Sequence, residues 1–114
     1  MSSHRNLAVG DAAEQFSAAV AQLSDRTRRL LHRQQLLKAA QSVSSNIAEG
    51  IARETLADRN GRFVIARGEA EETIKLLRVN LNCNRITSKE YWPLHNRAVT
   101  IVKMLNGLLA RPAA

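Results

Sequence analysis

The chain has 114 residues, 17 of them Lys or Arg against 10 Asp or Glu, with five Gly, two Pro, one Cys and 4% aromatic residues. That length makes one domain that can bury a core without disulfides or metals, which excludes an enzyme with separate cofactor and substrate domains. A hydrophobic fraction of 45% is globular, and a net charge of +7 with an isoelectric point near 10.8 keeps the protein soluble and draws it towards polyanions.

Val9, Ala12, Ala13, Phe16, Ala19, Val20 and Leu23 recur at helical spacing and predict a first helix over residues 7–24. Ser24 and Asp25 suit the end of one helix and the cap of the next. A single helix reaching residue 50 would far exceed the globular average, so a turn is expected between Ser24 and Thr27. The second helix, 28–51, puts Leu30, Leu37, Ala40, Val43, Ser44, Ile47 and Ile51 on one side, and Gly50 and Arg53 suit its C-terminal region. Thr55-Leu-Ala-Asp58 resembles a capping box and starts the third helix, 56–84, with Phe63, Ala66, Ala70, Ile74, Leu77 and Leu81 inward and an end near Asn84. Thr87-Ser-Lys-Glu90 is a full capping box, with Ile86 and Tyr91 placed as a hydrophobic staple. It opens a fourth helix, 90–110, that buries Leu94, Ala98, Ile101, Leu105 and Leu108. Pro93 draws the expected start towards residue 92, because proline costs roughly 3 kcal/mol in a helix interior. Residues 1–5 and 111–114 are expected to fray. Four amphipathic helices on short links make an all-α fold, an antiparallel up-down four-helix bundle.

Two outer faces carry more pattern than a monomer needs. Opposite the core line of the third helix runs a second row, Ile65, Glu69, Glu72, Leu76, Val79 and Cys83, with four apolar members. On the second helix Gln35, Lys38, Ser42, Ser45, Glu49 and Arg53 share a stripe, with Asn46 beside them. Mid-helix serines lower helix propensity but let another helix approach closely. Ser42, Ser45, Asn46, Glu49, Arg53 and the third-helix row are therefore the candidate oligomer interface, with Glu69 and Glu72 pairing Lys38 or Arg53 of a neighbouring subunit in a closed ring.

The stretch Gln35-Leu-Leu-Lys-Ala-Ala-Gln-Ser-Val-Ser-Ser-Asn-Ile-Ala-Glu-Gly50, with Arg53 after it, resembles the signature of the 23S rRNA intervening-sequence protein family. Phe63, Ala66-Arg67-Gly68 and Glu71-Glu72 resemble its third-helix motif, in which the glycine permits tight packing, and Leu7, Val9 and Ala13 resemble its N-terminal pattern. Gly10 stands where that family usually has an aromatic residue, and Glu69 where it has a small one. The resemblance implies an up-down bundle assembled as a homopentameric ring, without known enzymatic activity. It also implies a distant relation to the accessory variability determinant of diversity-generating retroelements, which binds nucleic acid and a reverse transcriptase. Expected partners are thus a second copy of the chain, RNA or DNA, and a protein such as a reverse transcriptase.

The basic residues are uneven. Arg26, Arg28, Arg29, Arg33 and Lys38 follow one another without an intervening acid, and Lys75, Arg78, Arg85, Lys89, Arg97, Lys103 and Arg111 are accompanied only by Glu90. Arg26, Arg28, Arg29, Arg33, Lys38, Arg78, Arg85, Lys89, Arg97 and Lys103 are the candidate nucleic-acid contacts, and five copies would carry about +35. Only Tyr91 and Trp92 could stack on bases, so recognition is expected to be directed at the backbone and sensitive to salt.

Rival readings have less to stand on. A helix-turn-helix over Asn46–Arg53 and Thr55–Arg67 would need compact helices, whereas each segment runs twenty residues or more. A di-iron bundle needs Glu-x-x-His pairs, absent at His4, His32 and His95; no phosphate loop or zinc set exists; and Cys83 is an unsupported nucleophile. A small helical enzyme for an anionic substrate would need Arg29 and Arg33 turned inward. No enzyme and no cofactor is expected. With one cysteine, no signal-peptide core and no apolar run of membrane length, the expected location is cytoplasmic, with no membrane partner.

Overall fold

The computed structural model describes residues 3–110. Four helices follow in order: α1 His4–Arg26, α2 Arg33–Ile51, α3 Leu56–Asn82 and α4 Ser88–Leu109. Each packs on its sequence neighbour and α4 closes back on α1, giving an all-α up-down bundle 48 × 19 × 18 Å across. The expected fraying of residues 1–2 and 111–114 lies outside the described residues, as does Arg111, whereas His4 and Arg5 are already helical.

The local signals explain most helix starts. Ser3 Oγ accepts the backbone N–H of Asn6 at 3.2 Å and Thr55 Oγ1 that of Asp58 at 3.1 Å, each satisfying a donor that the first turn leaves unpaired. At α4 the box is reciprocal: Glu90 N–H donates to Thr87 Oγ1 at 3.1 Å and Thr87 N–H to Glu90 Oε1 at 2.9 Å. The staple residues Ile86 and Tyr91 are both buried. This cap outweighs the proline. Helix α4 starts at Ser88 and carries Pro93 in its second turn, a correction to the start near residue 92.

The second correction is the onset of α2, at Arg33 instead of residue 28. His32 adopts a left-handed conformation (φ 55°, ψ 39°) that no helix interior contains, so Arg28 and Arg29 lie in a loop. Ser24 does not cap α2; it is buried at the end of α1. At the C-terminus of α3, Asn84 takes the left-handed position (φ 58°), with Arg85 N–H bonded to Asn80 C=O at 2.8 Å and Asn84 N–H to Leu81 C=O at 3.1 Å. These two bonds make a Schellman motif.

The core is Val9, Phe16, Val20 and Leu23 of α1, Leu36, Val43 and Ile47 of α2, Phe63 and Leu77 of α3, and Tyr91, Ile101 and Leu105 of α4, with small Ala13, Ala40, Ala66, Ala70 and Ala98 between them. Leu37, Ser44, Ile51, Ile74 and Leu81, expected inside, sit half-buried at its rim, and the buried line of α3 runs through Thr73 and Asn80 instead. Both polar groups are satisfied: Thr73 Oγ1 donates to Glu69 C=O at 2.7 Å, and Asn80 makes three hydrogen bonds described below. Gly50 is the one glycine whose lack of a side chain the packing requires, because a Cβ there would lie 2.7 Å from Phe63 Cε1.

Candidate nucleic-acid interface

Helix direction brings the 27–32 and 83–87 loops to one end of the bundle. Asn80, fully buried, joins them: its Oδ1 accepts Leu31 N–H at 2.7 Å, its Nδ2 donates to Leu31 C=O at 3.1 Å and to Leu76 C=O at 2.9 Å, and its own carbonyl closes the Schellman motif. Arg85 Nη1 adds a bond to Arg29 C=O at 3.2 Å. Arg33 reaches back over the end of α1, donating to the carbonyls of Ser24, Thr27 and Arg28 and to Ser24 Oγ at 2.8 Å. A guanidinium there satisfies orphan carbonyls and matches the negative end of the α1 dipole.

The cations consequently divide by role. Arg33 and Arg85 are half-buried and hold the loops. Arg26 meets Glu90 at 3.7 Å, and Arg78 Nε lies 3.4 Å from the Tyr91 hydroxyl. Arg28, Arg29, Lys38, Lys89 and Arg97 are exposed and form no ion pair among the described residues. Arg26, Arg28, Arg29 and Arg85 line a hollow of about 350 Å³ between the two loops. Glu90 is the one carboxylate lining it. The backbone N–H of Thr87, its hydroxyl and the Arg26 charge hold the Glu90 carboxyl below its ordinary value of 4.5, against an opposing effect of burial. Lys103 stands apart, beside Arg5 towards the opposite end.

Residues 25–40 and 75–97, the two loops and the helix segments next to them, contain ten Lys or Arg and two Asp or Glu, net +8; the rest of the chain has seven and eight, net −1. The excess charge is therefore gathered at one end of the bundle, next to the two loops.

The candidate interface residues occupy a different surface, the outer side of the α2–α3 pair. Ser45, Glu49, Arg53, Ile65, Glu72, Val79 and Cys83 are exposed, Ser42, Glu69 and Leu76 half-buried, and Leu76 packs against the core. Asn46 is a correction: it is buried within its own chain, donating to Ser42 C=O at 2.9 Å and Ser42 Oγ at 3.0 Å and accepting from Arg62 at 3.4 Å. Arg62, absent from the sequence expectations, also pairs with Glu49 at 3.1 Å, and Arg53 lies 3.7 Å from the same carboxylate. Arg53, expected to meet Glu69 or Glu72 of a neighbouring subunit, lies just past the end of α2 four residues from Glu49, and only the fold brings Arg62 across. Gly68, expected to serve tight packing, is exposed with open space where a Cβ would stand, and so is Gly61.

The rival arrangements lose their basis here. Helices α2 and α3 pack side by side with Phe63 and Ala66 buried, unlike a recognition helix that stands free. Arg29 is an exposed loop residue and Arg33 binds carbonyls, so neither enters the core as a substrate-binding arginine. Among the described residues no group of three or more His, Cys, Asp or Glu could hold a metal ion, and no helix is long and apolar enough to cross a membrane.

A family model described as 23S rRNA-intervening sequence protein matches residues 5–107. The crystal structure of a protein of unknown function from the S23 ribosomal protein family of Bacteroides thetaiotaomicron is similar over 94% of this chain and 99% of its own, at 23% identity and a TM-score of 0.89. That likeness shows the fold. No curated protein matches the chain.

Proposed function

The chain belongs to the 23S rRNA-intervening sequence protein family, and on that premise we propose that it is a non-enzymatic, cytoplasmic, self-associating bundle that binds the phosphate backbone of RNA or DNA through its basic end. The observation that carries this reading is the separation of charge, net +8 against net −1, with Arg28, Arg29, Lys89 and Arg97 exposed and free of carboxylates among the described residues. Each phosphate neutralised releases condensed counterions, so affinity falls steeply with salt. Anisotropy of a labelled RNA, titrated with protein over a salt series, tests this. Replacing both Arg28 and Arg29 with Ala should flatten the slope of log K against log salt by about 1.5 to 2, while Lys103→Ala leaves it unchanged. Absence of binding at 50 mM salt sinks the reading and leaves a protein-protein scaffold, with a reverse transcriptase among its candidate partners.

Self-association is proposed on the α2–α3 face, as a homopentamer by family resemblance. Its support is that Ile65 and Val79 are 48% and 37% exposed on one lane of α3, beside Gly61 and Gly68 with open space above them. Val79→Asp is the cleaner probe, because Leu76 also packs against the core. Sedimentation of that variant as the same species as the parent would dismiss the face.

A further inference from the structure

Trp92, the chain's single tryptophan, is 49% exposed, whereas its neighbour Tyr91 is 1% exposed. The Tyr91 ring meets the indole edge to face, with centroids 5.0 Å apart and planes at 80°, and the His95 ring does so at 4.9 Å and 73°. Two perpendicular neighbours hold the indole in place while half its surface remains in water. Its helix neighbours at three and four positions, Ser88, Lys89, His95 and Asn96, are all polar. On its own helix, then, the positions one turn away extend no apolar stripe from it, which a docking hydrophobic helix would need. The setting fits a partner the size of one flat ring. Cations are near in the fold: Lys89 is exposed one turn back on α4, and the exposed Arg78 of α3 reaches the hydroxyl of the neighbouring Tyr91 at 3.4 Å.

We propose that Trp92 is a stacking ledge for an unpaired nucleobase of a strand whose phosphates lie on the basic end of the bundle. The inference rests on the nucleic-acid reading above and narrows its ligand to strands with unpaired bases. Every base presents a π face, so one ledge stacks without selecting sequence, and the nearby cations take the strand's phosphates. A continuous duplex keeps its bases stacked on each other and offers the indole nothing.

Because Trp92 is the only tryptophan, its emission reports the site in the unmodified protein. Unlabelled 12-nucleotide single-stranded RNA, a 12-base-pair duplex and inorganic polyphosphate serve as probes, with binding followed separately by competition against a labelled RNA. The single strand should quench the emission by more than half, while duplex and polyphosphate compete yet leave it nearly unchanged. Trp92→Leu should weaken single-strand binding about 5- to 20-fold with little effect on polyphosphate, and Trp92→Phe should restore most of the loss. Competition without selective quenching overturns the ledge and leaves the backbone reading standing; no competition by any probe removes both. Changed sedimentation of Trp92→Leu without nucleic acid also overturns it, assigning the indole to a contact between copies.

Discussion

Asn80→Ala tests whether one buried amide organises the basic end. The substitution removes three hydrogen bonds, two to the backbone of Leu31 and one to Leu76 C=O. At a net value of about 1 kcal/mol each they contribute about 3 kcal/mol, and the better helix propensity of alanine returns about 0.5 kcal/mol. The expected cost is about 2.5 kcal/mol, or a fall in Tm of about 10 °C for a domain of this size. Urea unfolding followed by far-ultraviolet circular dichroism, at one fixed protein concentration because assembly adds to apparent stability, gives the global number. Hydrogen exchange gives the local one: amides of residues 27–32 should lose protection beyond the global change. Asn80→Leu separates bonding from volume, since it fills the space but leaves Leu31 N–H and C=O unpaired, and it should lose a similar amount. A loss below about 1 kcal/mol for the alanine variant, or parental stability for the leucine variant, would refute the clamp.

Thr87→Ala should cost about 1 kcal/mol by opening the α4 capping box, measured in the same urea assay. The lowered pKa of Glu90 gives stability that is complete above its ordinary value of 4.5 and is lost as pH falls through the depressed folded value. Glu90→Gln should therefore lose less stability between pH 7 and pH 3 than the parent; equal losses would exclude Glu90 as a contributor. Gly50→Ala should destabilise by about 1 to 2 kcal/mol, because overpacking against Phe63 exceeds the helix-propensity gain, whereas Gly68→Ala, with open space, should stabilise the single bundle by up to about 1 kcal/mol. Matching signs for the two glycines in urea titrations would contradict the packing.

Features fixed within one helical turn were legible in the sequence. Thr87 and Glu90, Thr55 and Asp58, and Asn84 at the end of α3 act over three or four residues, and their residue types report their geometry. The gap between α1 and α2 lies later than its residue types suggest because nothing within it forbids helix: Arg28 to His32 contain neither glycine nor proline. What stops the helix comes from 49 residues away, through Asn80. For the same reason the sequence pattern points to Ile74 and Leu81 as the inner line of α3, since Thr73 and Asn80 look like surface residues until their partners are known. Among the candidate contacts, clustering of charge along the chain identified the basic end, but not that Arg33 is held by carbonyls or that Lys103 lies elsewhere. Glu49 reads from the sequence as a free member of the candidate interface, because Arg62, thirteen positions on, faces it only after α2 and α3 pack.

A rod 48 Å long whose excess charge is gathered at one end has a preferred attitude towards any polyanion. Near a nucleic acid it experiences a torque as well as an attraction, and it arrives end first. On the proposed reading, the stretch of nucleic acid it would cover is set by its 18 to 19 Å cross-section and not by its length. For a duplex, at 3.4 Å per phosphate on each strand, that would be about five or six base pairs per chain.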